Sequence, residues 1–388
     1  MIGVLFASAA TLLLLTGFIQ DYMRLRCLPR LARPDISTAP QPYVSLLIPA
    51  RNEAHTIARC LDGTLRQTYP AYEVIVVDDG STDATPLILS RYAERERQLR
   101  VVASAPLPRG WIGKCHACQQ AATAARGEWL LFLDADTVPQ PTLIAALLTH
   151  AQRQNFDMLT IFPFLELGSF WERLVMPPFQ ALIYTLFPLA RLNAPDARPD
   201  EIVANGQCIL VRREVYQQIG GHGAVHSEVL EDVRLAQTAR ASGFRVGAAM
   251  GQQDLRVRMY TNGREVLEGL TKNAVAGYRS GGSRSFWAGA RQVGLAVGPP
   301  DLLIWGGVLV AMQGDVSAWA VLLHGLLVTM IAISFWIWLL RRFYELPWGY
   351  ALLWPLGVLS YSFIALHSLW RVHSGRGVIW KGRTYVGK

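Results

Sequence analysis

Two short apolar runs in this chain stop abruptly on paired acids. "YEVIVVDD" (72–79) ends on Asp78 and Asp79, and "EWLLFLDAD" (128–136) ends on Asp134 and Asp136. A third pair, Glu231-Asp232, follows "GGHGAVHSEVL". Two ionised carboxylates one residue apart repel, so one is driven towards protonation unless a cation sits between them. Oxygen-only ligands suit Mg²⁺ or Mn²⁺, which keep positions open for a diphosphate. A carboxylate at the end of the earlier run could accept from the N–H of a pyrimidine ring. Ser81 and Asp83 read instead as caps of the next helix.

The elements that hold these acids read as alternating strands and helices. Strand-like runs occupy 43–50, 72–79, 99–104 and 128–136, and helical stretches occupy 53–67, 84–97 and 114–127. Near-continuous apolar strands alternating with helices predict a parallel sheet covered on both faces. Ligands of such sheets bind outside the carboxyl ends of the strands, where all of these runs carry their polar punctuation. Cys115 and Cys118 form a lone C-x-x-C, which reads as small buried residues on a helix.

The ends have a different character. Residues 2–19 are apolar for about the length of a short spanning helix. No cation precedes this run, while Arg24, Arg26, Arg30 and Arg33 follow it. That order predicts an uncleaved anchor with the catalytic part in the cytosol. Segments 293–312, 317–340 and 349–371 are also long and apolar enough to span. Pro299 and Pro300 mark the first of these as broken or partly embedded, and Trp354-Pro355 marks the last as a candidate re-entrant segment. The segments divide the chain into an anchor (1–22), a catalytic domain (42–290), a transmembrane region (293–371) and a basic tail (372–388) expected in the cytosol. The net charge of +8 fits a membrane surface or anionic substrates. With no nucleic-acid module and no basic–aromatic ladder, nucleic acid is set aside as a partner.

"IPARNE", "VVDDGSTD", "GKCHACQQAATAARGEWLLFLDAD" and "GQCILVRREVYQQIGGH…EVLEDVRLAQTARASGFRV" occur in this order. Over roughly 43–280 the chain resembles the family 2 glycosyltransferases of GT-A fold. The blocks "LPRGWIGKCHACQQAA" and "GGHGAVHSEVLEDVRLA" are most similar to bacterial hopanoid-associated and carotenoid glycosyltransferases. The resemblance implies an α/β, Rossmann-like nucleotide-diphospho-sugar transferase domain between N- and C-terminal transmembrane helices. It implies a multi-pass protein of the bacterial cell membrane. Its donor would be a nucleoside-diphosphate sugar, with a UDP-sugar the leading choice, and its acceptor a lipid.

By the same resemblance, Pro49, Ala50, Glu53, Asp78 and Asp79 hold the nucleoside, and Lys114 and Asp134 lie near the nucleotide and its sugar. Asp136, with Asp134, would bind the divalent cation. Asp232, beside Glu231, would act as the base that takes the proton of the acceptor hydroxyl, with inversion at the anomeric carbon. His222 and His226 could touch the acceptor. Glu53 is expected to open the first helix of the domain.

The Q-x-x-R-W box of processive family members is missing; Lys272, Asn273 and Arg279 lie at about its place. Its absence points to a single transfer rather than polymer synthesis. The apolar, proline-containing stretch 170–191 reads as buried core or as an interfacial segment that feeds lipid to Asp232. Two other readings stay open: a polyisoprenyl-phosphate sugar synthase, and a non-catalytic nucleotide-sugar-binding scaffold.

Overall fold

The computed structural model describes residues 2–34, 41–374, 378–380 and 383–385. The side chains of Arg279 and of residues 375–388 lie outside the described residues. The chain opens with helix α1 (Ile2–Arg26) and then alternates through β1 (Val44–Ala50), α2 (Ile57–Thr64), β2 (Tyr72–Asp78), α3 (Thr85–Ala93), β3 (Leu99–Ala103), α4 (Gly113–Ala124) and β4 (Trp129–Leu133). Next come β5 (Thr137–Pro139), α5 (Leu143–Gln154), β6 (Met158–Phe162), β7 (Phe164–Leu165), α6 (Phe170–Leu186) and α7 (Leu189–Leu192). They are followed by β8 (Cys208–Arg212), α8 (Arg213–Gln218), α9 (Gly221–Ala224), α10 (Glu231–Ala241), β9 (Val246–Met250) and β10 (Leu255–Val257). Long helices α11 (Gly263–Gly281), α12 (Ser283–Met312), α13 (Val316–Tyr344) and α14 (Trp354–His373) precede the short pair β11 (Val378–Trp380) and β12 (Arg383–Tyr385).

These elements form two compact units. One joins Leu28–Glu166 to Leu189–Met259; the other joins Met1–Cys27, Leu167–Pro188 and Tyr260–Lys388. Packing therefore divides the chain differently from composition. Residues 167–188 and 260–290, inside the expected catalytic stretch, group with the terminal helices.

The first unit is built on a seven-stranded sheet in the order β3-β2-β1-β4-β8-β6-β9. Strands β1 to β4 pair in parallel, as their continuous apolar runs predict. Leu46, Ile48, Val74, Val76, Leu131 and Leu133 turn one sheet face towards a core that includes Leu61 of α2, Leu89 of α3 and Ile144 of α5. Helix α4 packs on β1 and β2.

The expectation of a parallel sheet needs correction at β8, which runs antiparallel to both β4 and β6. "CILV" is buried throughout, and a strand buried on both faces carries no alternation from which its direction can be read. The reversal matters for the site. Cys208 pairs with Leu133, so the residues entering β8 reach the edge where β4 ends in Asp134.

Helix α2 also starts at Ile57 rather than at Glu53. Residues 52–54 give their backbone N–H groups to side chains of the loop after β2, so the helical ladder begins only beyond them.

In the second unit, four helices are long and apolar enough to cross a membrane: Gly3–Arg26, Ser283–Met312, Val316–Tyr344 and Trp348–Val372. Helix α12 runs unbroken through Pro299 and Pro300, against the expected break. Packing on α13, α14 and α1 holds it where two N–H donors are lost. Trp354 and Pro355 occupy the first turn of α14, where a missing N–H removes no helical hydrogen bond. Helix α6 begins with a capping box in which Glu172 N–H donates to Ser169 Oγ and Ser169 N–H to Glu172 Oε2. It packs on α14 and α12.

Gly127 lies between α4, which carries Lys114, and β4, which leads to Asp134. A Cβ there would come within 2.4 Å of Ser45 N and 2.8 Å of Tyr43 O. Backbone atoms cannot move aside as a flexible side chain can. We expect Gly127→Ala to lower unfolding free energy by about 1–3 kcal/mol, measured by denaturant unfolding of the purified protein.

Candidate active site

The carboxyl edge of the sheet gathers two adjoining sets of residues. The first is formed by the loops after β1 and β2, which bind each other through side chains. Asn52 N–H donates to Ser81 Oγ at 2.9 Å, and Thr82 N–H donates to Asn52 Oδ1 at 2.8 Å. Glu53 N–H reaches Thr85 Oγ1 at 2.8 Å, and Ala54 N–H reaches Asp83 Oδ2 at 3.1 Å. Arg51 donates to the Asp79 carbonyl, and its guanidinium stands 3.7 Å from the Asp79 carboxylate. Asn52 adopts φ 53°, a left-handed conformation that asparagine tolerates.

Asp78 Oδ1 accepts from the backbone and hydroxyl of Ser81, which closes the turn after β2. Asp83 accepts from Thr85 N–H at 2.9 Å and so supports the start of α3. Ser81, expected as a cap, tethers Asn52 instead. Pro49 and Ala50 end β1, and Ala50 lies opposite Asp78 in the ladder.

The second set is a pocket lined by Pro49, Lys114, Asp134, Gly206, His222, Glu231 and Asp232, among others. Lys114 stands at the start of α4. Its Nζ lies 2.7 Å from Asp134 Oδ1 and 3.0 Å from Glu231 Oε1. Burial pulls this ammonium down, but the charges of Asp134 and Glu231 outweigh it and hold the group well above its ordinary value. Asp232 accepts from Gly206 N–H at 2.7 Å and from Val233 N–H at 2.8 Å. Burial, reinforced by Glu231, still raises its carboxyl to about 6. The pocket thus pairs a permanent cation with a carboxylate poised near neutrality.

His222 forms the buried wall. Gln119 Oε1 accepts from Gly223 N–H at 3.0 Å, so it also accepts the Tyr216 hydroxyl proton at 3.1 Å. The Tyr216 oxygen in turn accepts from His222 N–H at 3.0 Å and faces His222 Nδ1 at 2.9 Å. With the hydroxyl proton committed to Gln119, Nδ1 must carry the imidazole proton and Nε2 the lone pair. Burial lowers the ring to about 4, which keeps it neutral. His226 is held apart: its Nδ1 faces Gly223 O at 2.9 Å, and its ring lies 5.2 Å from that of Trp111.

Pro49, Lys114, Asp134, Glu231 and Asp232 therefore converge in one pocket. Ala50, Glu53, Asp78 and Asp79 lie at the neighbouring strand ends. Asp136 stands in the turn between β4 and β5, outside the pocket wall. Among the described residues no group of three or more His, Cys, Asp or Glu is gathered for a metal ion, and the Asp134 carboxylate is ion-paired to Lys114. The two acids still offer a hard, oxygen-only donor set of the kind Mg²⁺ or Mn²⁺ takes when substrate phosphates complete the shell. Cys115 and Cys118 are buried on α4, and burial pushes both thiols up. Arg51, Asn52, Gly206, Tyr216 and Gln119 were not singled out from sequence. Only Asn52, before a helix and beside an arginine, carried a local signal.

Residues 45–220 match the family model described as glycosyl transferase family 2. That stretch, a little under half of the chain, is thus similar to the family 2 glycosyltransferases. The chain is 31% identical over 248 residues to the 4,4'-diaponeurosporenoate glycosyltransferase of Staphylococcus aureus strain MRSA252, and the alignment spans 62% of each chain, less than two thirds of that relative's length. It is 30% identical over 249 residues to the same enzyme of strain USA300, again with 62% of each chain covered. A mannosyltransferase from Pyrobaculum calidifontis, solved with GDP-mannose and Mn²⁺, superimposes with a TM-score of 0.57 at 20% identity, covering 95% of this chain and 98% of that one. At that identity the likeness concerns the fold, which is GT-A.

Gly206 admits the two working groups of the pocket. A Cβ at this position would lie 3.0 Å from Asp232 Oδ2 and 3.2 Å from Lys114 Nζ. If this pocket transfers sugar, Gly206→Ala should lower the rate by about 10- to 100-fold, as small misplacements of reacting groups do, while the thermal midpoint moves by only a few degrees. An unchanged kcat would contradict this account of the pocket.

Proposed function

We propose that this chain is a membrane-bound, inverting glycosyltransferase that moves a sugar from a nucleoside-diphosphate donor, in the first instance a UDP-sugar, to a hydroxyl of a lipid. The observation that carries the reading is the meeting of Asp232 with the Lys114–Asp134–Glu231 cluster in one pocket. A base near neutrality and a fixed cation then flank the same space.

In the proposed reaction Asp232 accepts the proton of the acceptor hydroxyl as that oxygen attacks the anomeric carbon. Its Gly206 hydrogen bond keeps one carboxylate oxygen in place during the transfer. With Asp134 and Glu231 both held by Lys114, Asp232 acts as the base of a single displacement, hence inversion. Lys114 holds Asp134 and Glu231 together and places positive charge beside the departing diphosphate. His222 Nε2, fixed as an acceptor, orients a hydroxyl of donor or acceptor. Asp134 and Asp136 would hold a divalent cation. When bound, such an ion supplies Lewis-acid stabilisation of the leaving diphosphate.

The four apolar helices support a membrane location, and the positive charge after α1 supports a cytosolic site. The curated relatives support a lipid-like acceptor. Their name denotes a carboxylate, which is already deprotonated at neutral pH and leaves Asp232 no proton to take. The two acceptor classes therefore separate by experiment. Protein purified in detergent would be incubated with UDP-sugars, Mn²⁺ and lipid extract, with products read by mass spectrometry.

For a hydroxyl acceptor, Asp232→Asn lowers transfer by about 10²–10⁴-fold while nucleotide binding persists. A loss below tenfold would reject the base assignment. The wild-type rate should also rise with pH through about 6, the value to which burial lifts Asp232, because only the ionised carboxylate accepts a proton. A kcat/KM flat from pH 5 to 8 would count against it.

A further inference from the structure

We propose that the helical unit contains a separate binding site for the head of an uncharged lipid alcohol. The site is a recess whose walls include Phe18, Leu295 and Phe335 together with Asp21, Arg291 and Trp354. All belong to the unit that contains the candidate spanning helices.

The polar atoms of this recess decide its ligand. Arg291 is turned to the helix beside it: Nη1 lies 3.0 Å from Asp21 Oδ2, and Nη2 donates to Gly17 O at 2.8 Å. The Asp21–Arg291 pair cancels in charge. Thr185 and Gln292, also in the lining, donate to Ala181 O and Pro178 O, and two buried polar atoms are left. Asp21 Oδ1 and Trp354 Nε1 are buried without a hydrogen-bond partner, on residues that are 9% and 5% exposed. One accepts and the other donates. An apolar setting makes such unmade bonds costly.

A hydroxyl answers both: its proton goes to Asp21 Oδ1 and its oxygen accepts from Trp354 Nε1–H. A phosphate or carboxylate would bring a second negative charge beside Asp21, and a bare hydrocarbon would leave both atoms unmet. Depth agrees. Asp21 stands one turn before Arg24 and Arg26 near the end of α1, at the level where cations meet the headgroup layer and where the hydroxyl of an otherwise apolar lipid resides.

The inference does not rest on the transferase reading, because it is tested by binding. Full-length protein, delipidated in detergent, would be titrated with farnesol, farnesyl phosphate and the hydrocarbon farnesene, and followed by native mass spectrometry. We expect saturable one-to-one binding of farnesol, with the other two at least about tenfold weaker.

Trp354→Phe, which removes the donor and keeps the ring, should weaken farnesol about tenfold. It should leave the unliganded thermal midpoint unchanged or higher, since the unmade bond disappears. Ala296→Leu, which fills the recess from a buried wall position, should abolish saturable binding. Equal binding of farnesene, tighter binding of the phosphate, or farnesol binding indifferent to Trp354→Phe would overturn the proposal. So would the absence of saturable binding by all three, as expected of a recess that takes only water.

Discussion

The Lys114 ammonium is the constraint around which the site is arranged. It bridges Asp134, at the end of β4, to Glu231, at the start of α10. Three acids of one sign would otherwise crowd a small buried space. With one cation shared between two of them, the third, Asp232, is left to respond to its surroundings. Burial then outweighs its two backbone hydrogen bonds and its proximity to Lys114. The resulting carboxyl has the proton affinity that a base needs at neutral pH.

The sheet supplies the geometry for this arrangement. Parallel strands β1, β2 and β4 bring Pro49, Asp78 and Asp134 to one edge. Only the antiparallel β8 brings Gly206 to that same edge from the opposite direction. Its small size lets Asp232 and Lys114 close on the backbone, and its N–H fixes one oxygen of Asp232. The loops after β1 and β2 are cross-tied at Asn52, Ser81 and Asp83 before any nucleotide is present. A ligand that docks on that surface would not have to order it.

Much of this was legible in the residues. Local apolar runs located β1 to β4 within one to three positions, because a strand buried on both faces is written as a continuous apolar word. Acids at strand ends marked the edge where the pocket lies, although only Asp134 of Asp78, Asp79, Asp134 and Asp136 lines it. What stayed hidden was non-local. The direction of β8, the late start of α2 and the continuity of α12 through two prolines each depend on partners distant in sequence. The tautomer of His222 depends on Gln119, Tyr216 and Gly223, which no spacing rule connects. The break between the two units also escaped composition, since 167–188 is apolar enough for a core and for a membrane surface alike.

That break has a consequence for synthesis. β6 leaves the ribosome before α6, and β8, which joins β6 to β4, leaves it after. Until β8 arrives, β1 to β4 form a half-sheet with an unpaired edge at β4, and β6 has no ladder to enter. The apolar helix α6 is thus exposed to its surroundings while the sheet is still open. Helix α6 is therefore complete, with the face that later packs on α14 and α12 uncovered, before the strands that close the sheet have been made.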